Sequence, residues 1–157
     1  MIDAKRRILL KGSLAAGAVG VAVGAGLLTP RMVLAEWPKG AFGATSVDDA
    51  LNALLGSNTH EANDSIKIKA PDIAENGAVV PVTVESDAEG ISSISIIAAG
   101  NQNPLIASFN LGEDSLAFVS TRIKMAKTAE VVAVVKAGDK VMSSAKEVKV
   151  TIGGCGG

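Results

Sequence analysis

From residue 65 onward the chain is cut into short runs rich in Val and Ile by clusters of Gly, Pro, Asn, Asp and Ser, a rhythm that leaves room for strands but not for crossover helices. The runs fall at residues 66–70, 79–85, 91–99, 105–110, 115–126, 130–137 and 140–152. The last two are joined through Gly138-Asp139, a dipeptide suited to a tight hairpin turn. This pattern predicts a mainly β fold, an immunoglobulin-like antiparallel β-sandwich of about seven strands. In the last run Val148, Val150 and Ile152 alternate with Glu147, Lys149 and Thr151, so one face turns inward and the other meets water. Aromatic residues make up only 3% of the chain and tyrosine is absent, so Val, Ile, Leu and Ala must fill the core, with Phe109 and Phe118 as the large fillers.

One short helix is predicted before the strands. Ser46 supplies an N-cap oxygen with Asp49 three residues on, and Val47, Ala50, Leu51, Leu54 and Leu55 follow at helical spacing. Gly56 ends it. Residues 37–43 read as a connector.

Residues 1–35 have the organisation of an export signal. Lys5, Arg6, Arg7 and Lys11 precede a glycine-diluted stretch without charge from Gly12 to Pro30, and Val33-Leu34-Ala35 offers a small-residue cleavage site. The run Arg6-Arg7-Ile8-Leu9-Leu10-Lys11 resembles the twin-arginine signal, which implies export of an already folded protein and a periplasmic destination. An uncleaved membrane anchor is the other reading. The stretch is marginal for the roughly 20 apolar residues that span a bilayer, so cleavage and no stable membrane anchoring are expected. The predicted organisation is therefore a cleaved signal over 1–35, a β-sandwich with its N-terminal helix over 36–152, and a flexible glycine-rich tail over 153–157.

Loss of residues 1–35 removes five basic residues and one acidic one, leaving ten against fifteen. An acidic chain with few aromatics gives no footing for nucleic acid, which is excluded as a partner. Charge is uneven. Residues 36–119 hold three lysines against twelve acids, and residues 120–157 hold seven basic residues against three acids. Those seven, Arg122, Lys124, Lys127, Lys136, Lys140, Lys146 and Lys149, read either as solvated strand positions that guard sheet edges or as a field for anions and acidic partners.

A single cysteine forbids an intramolecular disulfide and any multi-cysteine metal site within the chain. It stands in Gly153-Gly154-Cys155-Gly156-Gly157. Glycines offer no side chains to bury a thiol and cost the most entropy to order, so Cys155 is expected to be exposed on a thin arm. Five extended residues reach roughly 17 Å. Catalysis by the chain itself would need fixed neighbours, because a free thiol with a pKa near about 8.5 is only slightly ionised at neutral pH. The pattern is that of a carrier: the sandwich is a handle, Gly153, Gly154, Gly156 and Gly157 are the tether, and the sulfur of Cys155 is the attachment atom.

With this tail, the leader and the β body, the chain resembles the SoxY family, the sulfur-carrier subunits of the periplasmic Sox thiosulfate-oxidation system. The resemblance implies an immunoglobulin-like body, a heterodimer with a SoxZ-like subunit, and sulfur intermediates held on Cys155. It further implies partner enzymes: a SoxXA-like haem enzyme that couples thiosulfate to the thiol, a SoxB-like hydrolase that releases sulfate, and, in pathways that contain it, a SoxCD-like dehydrogenase. The carrier itself would be no enzyme and would need no cofactor.

Other constellations are weaker. His60 and Glu61 with Asp64 can be drawn as a metal site or as a base for Cys155, but one histidine with carboxylates lacks ligand spacing, and a solvated loop is the simpler account. Asn63-Asp64-Ser65 fits a glycosylation pattern that a bacterial-type exporter leaves idle. Small sulfur carriers of ubiquitin-like fold also end in Gly-Gly, but their activation needs ATP. An exported structural subunit that dimerises through Cys155 remains the alternative, since an odd thiol in an oxidising compartment invites an intermolecular disulfide.

Overall fold

A computed structural model describes residues 38–153. The expected signal over residues 1–35 lies outside the described residues. Two helices come first, α1 (Lys39–Gly43) and α2 (Val47–Leu55), followed by nine strands: β1 (Glu61–Ala62), β2 (Ile66–Lys69), β3 (Ile73–Ala74), β4 (Val80–Ser86), β5 (Ile91–Ala98), β6 (Leu105–Asn110), β7 (Phe118–Ile123), β8 (Ala129–Ala137) and β9 (Lys140–Val150).

The larger sheet has the order β1-β9-β8-β5-β6, with β3 also pairing β9, and the smaller has the order β2-β4-β7. Neighbours among β5, β6, β8 and β9 run antiparallel, as do those of the smaller sheet. The two-residue strands β1 and β3 each lie parallel to β9. Two packed, mainly antiparallel sheets make the expected sandwich.

Period-two alternation explains the interior. Val80, Val82 and Val84 of β4 and Val119 and Ile123 of β7 face Ile94, Ile96 and Ala98 of β5, Val131, Ala133 and Val135 of β8, and Met142 and Val148 of β9. The other face of the larger sheet is covered as well. Ala41, Ala50 and Leu51 of the two helices pack on Ile97, Leu105 and Val134, so β5 and β8 are buried on both sides along their central residues. Helix α2 starts where expected, with the Ser46 Oγ accepting from the Asp49 N–H at 3.1 Å, and stops at Gly56, whose φ of 76° is left-handed.

Four details differ from the sequence reading. The connector over residues 37–43 contains helix α1, whose Ala41 is buried against α2 and the sheet. Two further strands, β1 and β3, arise because β9 offers its other edge for short pairings, to β1 at Met142 and Ser143 and to β3 at Lys149 and Val150, past its hairpin partner. Phe118 is 51% exposed rather than a core filler, because the alternation that buries Val119 and Ile123 turns Phe118 outward. Met125, fully buried, packs in that core instead. Ile152 is 69% exposed, since β9 ends at Val150 and the alternation lapses there.

Candidate functional site

The residue that would carry the chemistry, Cys155, lies outside the described residues with Gly154, Gly156 and Gly157, and Gly153 is the last residue described. What the structure defines is the point from which the tail departs.

After Val150 the chain keeps its course by bonding to the end of β3 and the segment between β3 and β4. The Thr151 N–H donates to the Ala74 carbonyl at 3.1 Å, and its hydroxyl donates to the Glu75 carbonyl at 2.9 Å. The Ile152 carbonyl then accepts the N–H of buried Gly77 at 2.7 Å. Gly77 also faces the other way, its carbonyl accepting the Met125 N–H at 2.7 Å. One residue thereby ties the root of the tail to the segment that follows β7.

That segment is fixed by a side chain. Buried Asn101, in the turn between β5 and β6, donates from Nδ2 to the Lys124 carbonyl and accepts at Oδ1 from the Ala126 N–H, both at 2.8 Å. An amide making both bonds replaces a missing strand partner, so the carbonyls of residues 124–126 keep set directions. The Ala126 carbonyl abuts the α-carbon of Gly153, and a β-carbon there would overlap its oxygen. Gly153 is thus required by close approach as well as by any freedom of the tail.

The basic residues divide. Lys146 is engaged, with Nζ donating to the Ala70 carbonyl and pairing with Asp72 at 3.0 Å. Lys124, Lys127 and Lys149 are exposed, and none forms an ion pair among the described residues. Lys124 and Lys127 flank Ala126, beside the tail root. Three apolar side chains in the same region are more than half exposed: Ile152 itself, Ile73 of β3 and Val79 just after Gly77.

His60 and its neighbours are placed elsewhere. The His60 Nδ1 lies 2.7 Å from the Ser143 hydroxyl, and Glu61 opens β1, so the segment is partly strand rather than wholly loop. Asn63 turns its side chain to the Ser65 N–H and the Met142 sulfur. Among the described residues no group of three or more His, Cys, Asp or Glu is placed to hold a metal, and no helix is long and apolar enough to cross a membrane.

The family model of the sulfur oxidation protein SoxY matches residues 51–155, two thirds of the chain, and its last matched position is Cys155. The chain belongs to the SoxY family. Among solved structures, the sulfur carrier protein SoxY from Chlorobium limicola f thiosulfatophilum is 47% identical over 68% of this chain and 97% of its own, with a TM-score of 0.63. A superoxide reductase (neelaredoxin) from Ignicoccus hospitalis is 16% identical over 58% of this chain and 94% of its own, with a TM-score of 0.52, a likeness of fold alone. No curated protein sequence matches. Within this SoxY body, the loop lysines and the Asn101 brace were not singled out together by sequence reading. Their link is a set of loop hydrogen bonds between residues far apart in the chain, and no periodicity announces such bonds.

Proposed function

We propose that this chain is the periplasmic carrier of thiosulfate-derived sulfur, holding intermediates covalently on Cys155 and presenting them to partner enzymes during oxidation to sulfate. The observation that carries the reading is the SoxY match running through Cys155, two residues past the tail root at Gly153. In the first step the Cys155 thiolate and thiosulfate form an S–S bond. Two electrons leave to the haem enzyme, giving a cysteine S-thiosulfonate. Water then cleaves the terminal sulfonate as sulfate with release of protons, leaving a persulfide on Cys155. In pathways with the dehydrogenase, three waters supply the oxygens that convert the outer persulfide sulfur to a sulfonate, with six electrons withdrawn. The chain's part is attachment and delivery, which suits a sulfur atom on a slender arm with no side chains beside it.

Export by the twin-arginine route, cleavage near Ala35 and a 1:1 complex with a SoxZ-like subunit complete the reading. Exposed Leu116 and Phe118 leave apolar surface on the body that a second subunit would cover. Intact mass of the native protein from thiosulfate-grown cells tests the whole. Adducts of thiosulfate or sulfane sulfur on Cys155 are expected. A mass showing only a Cys155 disulfide dimer would instead support a structural subunit.

A further inference from the structure

Resting on the carrier reading, the tail root has a consequence for partners. From Gly153 to Cys155 there are only two residues, so the α-carbons lie at most about 7 Å apart even when fully extended. An enzyme that closes around the Cys155 sulfur therefore cannot avoid the surface surrounding Gly153.

That surface has a defined make-up. Gly77 joins Ile152 to Met125, Thr151 joins Ala74 and Glu75, and the Ala126 carbonyl abuts Gly153, so three segments meet at one end of the sandwich. On them stand Ile73, Val79 and Ile152, each more than half exposed, beside Lys124 and Lys127, which have no ion pairs among the described residues. The acids of the same segments are Asp72, held by Lys146 at 3.0 Å, and Glu75. Cation therefore exceeds free acid, although the mature chain as a whole is acidic. Apolar residues with unpaired cations at their side are suited to an apolar rim bearing carboxylates.

We propose that this collar of Ile73, Val79 and Ile152 with Lys124 and Lys127 is one docking face shared by every enzyme that acts on Cys155, and that each such enzyme presents an apolar rim with carboxylates around its sulfur-processing recess. Because the face is single, the enzymes occupy it in turn.

The test uses the full mature chain in complex with its partner subunit as substrate for the thiosulfate-coupling and sulfate-releasing enzymes. The variants are Ile152→Asp, the pair Lys124→Glu with Lys127→Glu, and Lys140→Glu at the far end of the β8–β9 hairpin as a charge control. Both collar variants should raise KM for both enzymes about tenfold or more with kcat kept, as for a central interface position. The rise of KM with ionic strength should flatten in the lysine pair. Lys140→Glu should behave as wild type, and Cys155 in every variant should alkylate with a small reagent at the wild-type rate. Unchanged KM in both collar variants, or a rise for only one of the two enzymes, overturns the shared face while leaving the carrier reading intact. Turnover retained in Cys155→Ser overturns the carrier reading and this proposal with it.

Discussion

The N–H of Gly77 meets the carbonyl oxygen of Ile152 at 2.7 Å, beyond the end of the last strand. The chain is thus held past the edge of the sheet, as far as the root of the tail.

Gly153→Ala should cost about 1–3 kcal/mol in urea unfolding, since the added methyl must push the Ala126 carbonyl aside and that residue is held by Asn101. The same change at Gly154 should cost little. Equal stability of the two variants would remove the steric reason for Gly153.

Cys155→Ser should leave the unfolding transition where it is, because the core residues among the described ones lie upstream of Gly153, and should abolish thiosulfate-dependent oxygen or cytochrome turnover by the reconstituted partners. Gly154→Val with Gly156→Val should keep the thiol reactive to alkylating reagents yet slow that turnover, because β-branched neighbours stiffen and thicken the arm. Wild-type turnover in the valine pair would show that slenderness is not what admits the tail.

Leu51→Ala should destabilise the body by about 2–5 kcal/mol, the usual range for a fully buried leucine. It should do so without altering the rate of Cys155 alkylation, since α2 covers the outer face of the larger sheet. Chemical unfolding and thiol kinetics on one sample separate the two effects.

Ser46→Ala should remove the oxygen that caps α2 and cost about 1 kcal/mol. The shift in urea midpoint measures it directly, and no shift would mean that Asp48 and Asp49 in the first turn suffice.

In the cell, the mature protein should begin near Glu36, and replacing Arg6 and Arg7 by lysine should leave unprocessed chain in the cytoplasm. N-terminal sequencing of the functional form reads this out. Met1 on that form would end the export reading.

Much of the body was legible from pattern. The hairpin at Gly138-Asp139, the cap at Ser46 and the stop at Gly56 are local chemistry, and each stands where the residues put it. The misreadings share one cause, which is that alternation fixes faces only while a strand lasts. Phe118 takes the outer face because Val119 and Ile123 take the inner one, and Ile152 escapes because pairing with β8 has ceased at Val148. Strands β1 and β3 are two residues each and exist only through β9, so their own sequence holds no sign of them. At the tail the sequence pointed to the cysteine and its glycines, but the Asn101 brace and the Gly77 tie join residues far apart in the chain and needed the fold.

Strand β9 has mechanical meaning for the proposed hand-over of cargo. It runs eleven residues, paired with β8 from Lys140 to Val148 and on its other edge with β1 and β3. In the carrier reading, a pull on the sulfur would pass first to the Gly77–Ile152 bond and the two bonds of Thr151, and only behind them to the paired length of the strand. Those end bonds are backed by a strand held on both edges, as a knot is backed by the splice behind it, so fraying at the end would stop where the sheet begins.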